Sequence, residues 1–216
     1  MLPGDPALTM LGVDAPDSAV AAIRLELGLD RPAAVRYVDW IAGLFHGEMG
    51  LSYIYKGPVT ELIGQRLHVT LPLAIGAMLV ATLASLCLGI YAATNHNRLG
   101  DYGVMGFSQL GLAIPDFWFG ILLIILFAVI LRWLPSGGFP GWDEGIWYGV
   151  RSLILPVFTL SLSLTAVMTR VTRSAVLEVA GEDFVRTARA KGLSRRAALW
   201  RHVLRNALVP VLTIGG

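Results

Sequence analysis

Charge is what this sequence has least of. Lys, Arg, Asp and Glu together make up 15% of its 216 residues, against about a quarter in soluble domains. With 55% apolar residues and a mean hydropathy of +0.65, that scarcity excludes an ordinary soluble globule and points to a membrane protein. Cysteine is nearly absent. Cys87 stands alone inside an apolar run, which excludes a disulfide framework and a thiolate metal site and leaves a small lipid- or core-facing residue. No GxxxxGK[ST] phosphate loop occurs, so these residues supply no nucleotide chemistry of their own.

The few charges are segregated. Residues 1–66 hold five basic and eight acidic residues, whereas Arg170 to Arg205 hold nine basic and three acidic ones. A basic patch could meet nucleic acid, but this one abuts apolar spans, and the excess of Lys/Arg in cytoplasmic loops explains it more simply. No nucleic-acid partner is expected.

Residues 1–66 carry turn signals at Pro3-Gly4-Asp5-Pro6, Asp14-Ala15-Pro16-Asp17 and Asp30-Arg31-Pro32. Between them Ser18 to Leu29 predicts an amphipathic helix with Val20, Ile23 and Leu27 on one face and Asp17 or Ser18 as N-cap. Ala33 to Leu44 predicts a second, with Tyr37, Trp40, Ile41 and Leu44 in its stripe. Val69 to Ala93 runs 25 residues without a charge, enough to cross a hydrocarbon core of roughly 20 helical residues, with Pro72 expected in its first turn. A polar turn, Asn95 to Asp101, closes it.

Val104 to Leu131 predicts a second span, interrupted at Ile114-Pro115-Asp116. An intramembrane carboxylate is a functional candidate by default; the alternative is that Pro115 breaks the helix and Asp116 caps the run that follows. Ser152 to Thr169 predicts a third span, kinked at Pro156. Its hydroxyls (Ser161, Ser163, Thr165) either line a polar path or pack closely between helices. A fourth apolar segment starts at Val203. Between the third and fourth, residues 170–202 predict a loop of two short helices meeting at a turn, with Gly192 at the break.

Orientation follows from the charges. The basic loop belongs in the cytoplasm, which places Arg132–Arg151 outside, Asn95–Gly103 inside and residues 1–66 outside. Those 66 residues carry no signal peptide or upstream span to take them across, so the chain is expected to be a fragment, lacking a helix before Met1 and more after Gly216.

Several motifs, in order, resemble one family: inner-membrane permease subunits of ATP-binding-cassette importers of the dipeptide/oligopeptide/nickel type. They are Pro3-Gly4-Asp5-Pro6, Glu26-Leu27-Gly28-Leu29-Asp30-Arg31-Pro32, Gly47-Glu48-Met49-Gly50-Leu51-Ser52, Arg66-Leu67 with Thr70-Leu71, and Ile114-Pro115-Asp116-Phe117-Trp118. The most specific is Asp183-Phe184-Val185-Arg186-Thr187-Ala188-Arg189-Ala190-Lys191-Gly192-Leu193-Ser194, followed by Arg205-Asn206-Ala207 and Pro210. The resemblance implies an all-α polytopic transmembrane bundle in the bacterial inner membrane, with a small extracytoplasmic segment (1–66) and a permease domain (67–216).

It further implies that Asp183, Phe184, Arg186, Ala188, Arg189, Ala190, Lys191, Gly192, Leu193, Ser194 and Arg195 form the loop that couples to the ATPase. Arg186, Arg189, Lys191 and Arg195 would pair with acidic groups there, and Phe184, Ala188, Ala190 and Leu193 would supply apolar contact. The implied partners are a second homologous permease, two ATP-hydrolysing subunits, an extracytoplasmic solute-binding protein and membrane lipid, with no cofactor in this chain. Three departures stand out. The general loop motif has Glu-Ala-Ala where this chain has Arg186-Thr187-Ala188, and its later Leu-Pro is displaced, with Pro210 the nearest candidate. Asp116 replaces an expected small residue such as serine, so that the resemblance assigns it no transport role. The rival readings are a passive scaffold or channel, and an intramembrane enzyme, for which no pair in the spans has catalytic spacing.

Overall fold

The computed structural model describes residues 6–12, 15–52, 54–55 and 57–215. The Pro3-Gly4-Asp5-Pro6 element falls almost wholly outside them. The chain divides into two units, Met1–Val69 and Thr70–Gly216.

In the first unit α1 (Pro6–Leu11) packs on α2 (Asp17–Glu26), burying Ala7 and Val20. Asp17 and Ser18 do not cap α2: Pro16 occupies the N-cap position with no side-chain hydrogen bond. Proline holds the extended backbone that the position needs without supplying an acceptor. α3 (Ala33–Phe45) buries none of its residues, and Tyr37 and Trp40 of its apolar stripe are exposed. Among the described residues the only strands are a two-residue antiparallel pair, β1 (Leu51–Ser52) with β2 (Gly57–Pro58).

The apolar spans are longer than their uncharged cores. α4 runs Val59–Thr94, so Pro72 lies well inside the helix and not in its first turn. The polar lead-in continues the same helix, because nothing between Val59 and Leu67 breaks it. Two faces of α4 differ in size of residue. Ala77, Ala81, Ser85, Gly89 and Ala93 recur every fourth residue and are buried, whereas Leu71, Ile75, Leu79 and Leu83 recur at the same interval and are 52–65% exposed. Small residues let helix backbones approach, and large ones meet lipid. Cys87 continues the second, exposed row, on the outer side of the helix and not in the core.

The second span is not a straight crossing. α5 (Leu99–Ala113) and α6 (Asp116–Leu123), which continues as a π-helical segment Ile124–Ile130, meet at a bend of 100°. Pro115 has no N–H to continue the ladder, and it forces Ile114 into an extended conformation (φ −83°, ψ 123°).

The third span belongs to α7, one helix from Ile146 to Ala180 with Pro156 inside it. The first part of the expected loop, Arg170–Ala180, is therefore helix rather than loop, and Val176, Leu177 and Ala180 belong to α7. α7 is the central element of its unit, packing against α5, α6 and α10 (Leu204–Gly215). On α4, a Cβ added at Gly89 would lie 2.6 Å from Thr172 Cβ and 2.9 Å from the Thr169 carbonyl. That proximity explains why glycine stands there. Among the described residues α4 and α7 are each long and apolar enough to cross a membrane, and the α5–α6 pair makes a third crossing if it counts as one.

Candidate functional site

Beyond α7 the chain turns at Gly181–Glu182 and forms α8 (Asp183–Ala190). Next come α9 (Arg195–Ala198) and a π-helical segment, Leu199–Val203. Gly192 stops α8. At φ +97° its N–H bonds the Arg189 carbonyl (3.0 Å), and the Leu193 N–H reaches back to the Ala188 carbonyl (3.2 Å). This is the paired 5→2 and 6→1 closure of a helix end that requires a left-handed residue. A Cβ at Gly192 would meet nothing within 4 Å, so backbone conformation and not space selects glycine. Two residues later Ser194 starts the next helix, its Oγ accepting the Ala197 N–H at 3.2 Å. Stop and start signals so close together fix the angle between the two short helices.

The loop is held to the body of the protein by residues that face inward. Val185 (3% exposed) and Ala198 (2%) join Ala93 of α4, Ala175 and Val176 of α7, and Val203, Leu204 and Ala207 in one buried cluster. Leu193 packs against this cluster, so it is turned toward the chain's own core, and Ala188 is half-buried. Those two are therefore less available to a partner than the motif alone suggested. Val185, which the motif reading passed over, is the anchor. Its apolar side chain three residues before Ala188 and eight before Leu193 was the available signal.

The remaining residues face outward. Asp183, Phe184, Arg186, Arg189, Ala190, Lys191, Ser194 and Arg195 are exposed. Arg186 and Asp183 make a 3.4 Å contact with both side chains mostly in solvent, an arrangement of little energetic weight. Arg186, Arg189 and Arg195, with Leu193, line a shallow cleft of about 470 Å³. This cleft concentrates positive charge at the turn. A second cavity, of about 400 Å³, is lined jointly by the loop and the ends of α4 and α7, with Thr94, Val176, Leu177, Val185, Arg189 and Leu199 among its residues.

Two carboxylates lie on α5 and α6. Asp101, 1% exposed, receives a two-pronged contact from Arg173 of α7: Nε to Oδ1 at 2.6 Å and an Nη to Oδ2 at 2.7 Å. The Asn97 N–H donates to Oδ2 at 3.0 Å, from a residue with φ +60°, a conformation asparagine tolerates. His96 completes the group, its Nδ1 3.1 Å from Asp101 Oδ2 and 3.0 Å from the Arg173 Nη. This cluster ties the α4–α5 turn to α7. Sequence reading placed Asp101 in a polar turn and Arg173 among the free basic residues; the structure makes both structural.

Asp116 differs. It stands in the first turn of α6 but makes no cap. Its Oδ1 accepts a hydrogen bond of 2.5 Å from Ser163 Oγ on α7. Ser163 is about 18 Å along the helix from Arg151 and about 10 Å from Arg170 at 1.5 Å per residue, so the pair sits at membrane depth. A carboxylate there costs roughly 2.5–3.5 kcal/mol on insertion scales. The contact brings together a serine and a carboxylate distant in sequence but gives no hydrolase arrangement, because the hydroxyl bonds the carboxylate directly, without the imidazole that an activated serine needs between them.

The hydroxyls of α7 divide. Ser161, Thr165, Thr169 and Thr172 are buried and pack between helices, whereas Ser163 lies on the opposite, open face. The close-packing reading therefore holds for the buried face, and Ser163 stands apart from it.

Comparison with known proteins gives a consistent picture. Residues 85–216 match the family described as binding-protein-dependent transport system inner membrane component, and residues 1–74 match the N-terminal part of such membrane components. A putative peptide transport system permease protein of Brucella suis is 42% identical over 216 residues, covering all of this chain and 69% of the relative. The oligopeptide transport system permease protein AppB of Bacillus subtilis is 40% identical, over 99% of this chain and 69% of its own length. The glutathione transport system permease protein GsiC of Salmonella typhi is 39% identical, over all of this chain and 68% of its own.

Proposed function

Because the chain belongs to the family of inner-membrane components of binding-protein-dependent transport systems, we propose that it forms half of a pore importing peptides, driven by separate ATP-hydrolysing subunits. The permease names of its relatives, peptide, oligopeptide and glutathione, support the substrate class. Its working partners are a second, similar permease, two ATPase subunits at the cytoplasmic face and an extracytoplasmic solute-binding protein. Residues 1–66 lie on the outer side of the bacterial inner membrane, and the Asp183–Arg195 loop projects into the cytoplasm, following the asymmetry of basic charge.

The observation that carries the reading is the loop's construction. Val185 is buried in the same cluster as the ends of α4 and α7, Gly192 and Ser194 fix the turn, and the cations point away. A partner cleft with acidic groups can grip such a surface, and displacement of the loop passes to α7 because no flexible segment intervenes except Gly181–Glu182. ATP binding closes the ATPase pair, the two loops move with it, and the spans rock between inward- and outward-facing arrangements by rigid-body motion.

The test uses the full-length transporter with Cys87→Ser and Ser194→Cys. Crosslinking from position 194 to an ATPase subunit, with a yield that changes on adding ATP, is the expected result. An intact complex giving no crosslink in either condition would remove the coupling role from this loop.

A further inference from the structure

The open face of α7 carries a row at helical spacing: Thr159, Ser163, Val167, Arg170, Ser174 and Glu178. Val167, Arg170, Ser174 and Glu178 line a cavity of about 440 Å³ beside Leu112 of α5. Thr159 lines another, of about 340 Å³, with Phe117 and Gly120 of α6. The Asp116–Ser163 pair lies between the two, one turn of α7 from each.

Asp116 is exposed, and among the described residues Ser163 alone donates to it, leaving most of the roughly four acceptor sites of a carboxylate free. No cation among the described residues pairs with it. A half-satisfied carboxylate at this depth does not face lipid, and beyond Val167 the same face of α7 continues with Arg170, Ser174 and Glu178. We infer that Asp116, oriented by Ser163, is a cation-recognising site in the translocation path that takes the free ammonium group of a passing peptide. An ammonium supplies up to three N–H donors and the opposite charge. The inference rests on the peptide reading for the identity of the cation, though not for the existence of the site.

The experiment uses the complete transporter, all native cysteines removed, with Val167→Cys as the sole thiol, one turn from Ser163. A cationic trimethylammonium-ethyl methanethiosulfonate and a neutral methyl methanethiosulfonate are compared, each normalised to its rate with a free thiol. The expected result is at least about a tenfold advantage for the cation, the size that a charge focused in a low-dielectric cleft gives, abolished by Asp116→Asn. Excess trialanine should slow labelling when Asp116 is present and much less in the Asn variant. Equal rates for the two reagents, an advantage that survives Asp116→Asn, or no labelling at all would overturn the site. The last would mean that lipid or the second permease covers this face. An Asp116-dependent advantage without protection by trialanine would overturn the peptide assignment alone.

Discussion

Asp101 and Asp116 flank the same helix and meet the same neighbour, α7, yet they serve opposite ends. Asp101 is sealed from solvent and held by both prongs of Arg173 and the Asn97 N–H, with the His96 ring against both members of the pair. Asp116 is open and holds a single hydroxyl. A buried charge with all its acceptors occupied rigidifies what it joins, because no other arrangement satisfies it. A charge left half-satisfied is available to something that arrives. The first fixes the basic end of the bundle, next to the loop that protrudes there; the second sits where solute would pass.

Substitutions can break that contrast. Asp101→Ala should have the largest effect, since it strands Arg173. Removing one partner of a buried pair costs about 3–5 kcal/mol, visible as a lower melting temperature in detergent and loss of assembled complex. Adding Arg173→Met should recover part of that loss, because the stranded charge is gone; a double variant as damaged as the single one would show that the contacts to Asn97 and His96 matter more than the ion pair.

Asp116→Ser should leave melting temperature and assembly unchanged while altering which solutes pass. A fall in stability comparable to that of Asp101→Ala would erase the distinction between the two carboxylates. The smallest effect is expected from Thr172→Val on the closed face of α7. The Thr172 hydroxyl is buried without a hydrogen-bond partner among the described residues, so exchanging it for a methyl group of similar shape should change stability by no more than about 0.5 kcal/mol. Gly89 packs against the same side chain, and a bulkier residue at 172 would not be tolerated so easily.

The two faces of α7 extend the contrast. Hydroxyl residues recur along the whole helix, and nothing in their chemistry distinguishes Thr165 and Thr169 from Ser163. Their environments do. The first two are covered by neighbouring helices, and the third meets a carboxylate at the start of α6, just past the bend. The chain is a permease subunit of an importer, and a helix with one packed and one polar face suits a half-pore, which must adhere to its own bundle on one side and present a path on the other.

Much of this was legible in the residues. The uncharged run after His68, the break at Pro115, the stop at Gly192 and the small-residue face of α4 are local properties. Chain stiffness, missing donors and hydrophobic spacing act over a few residues, so sequence alone determined which stretches are helical and where the chain breaks, though the helices at Val59 and Ala180 run past the bounds that charge suggested.

Other features were not local. Arg173 finds Asp101 from 72 positions away, and Ser163 finds Asp116 from 47. Val185 is an anchor because α4 and α7 converge beneath it. A charge or hydroxyl carries no mark of its partner until packing decides which groups lose water together, and the energetics of desolvation then assign each its role. That assignment, fixing one carboxylate as a clamp and leaving the other open, belonged to the tertiary structure.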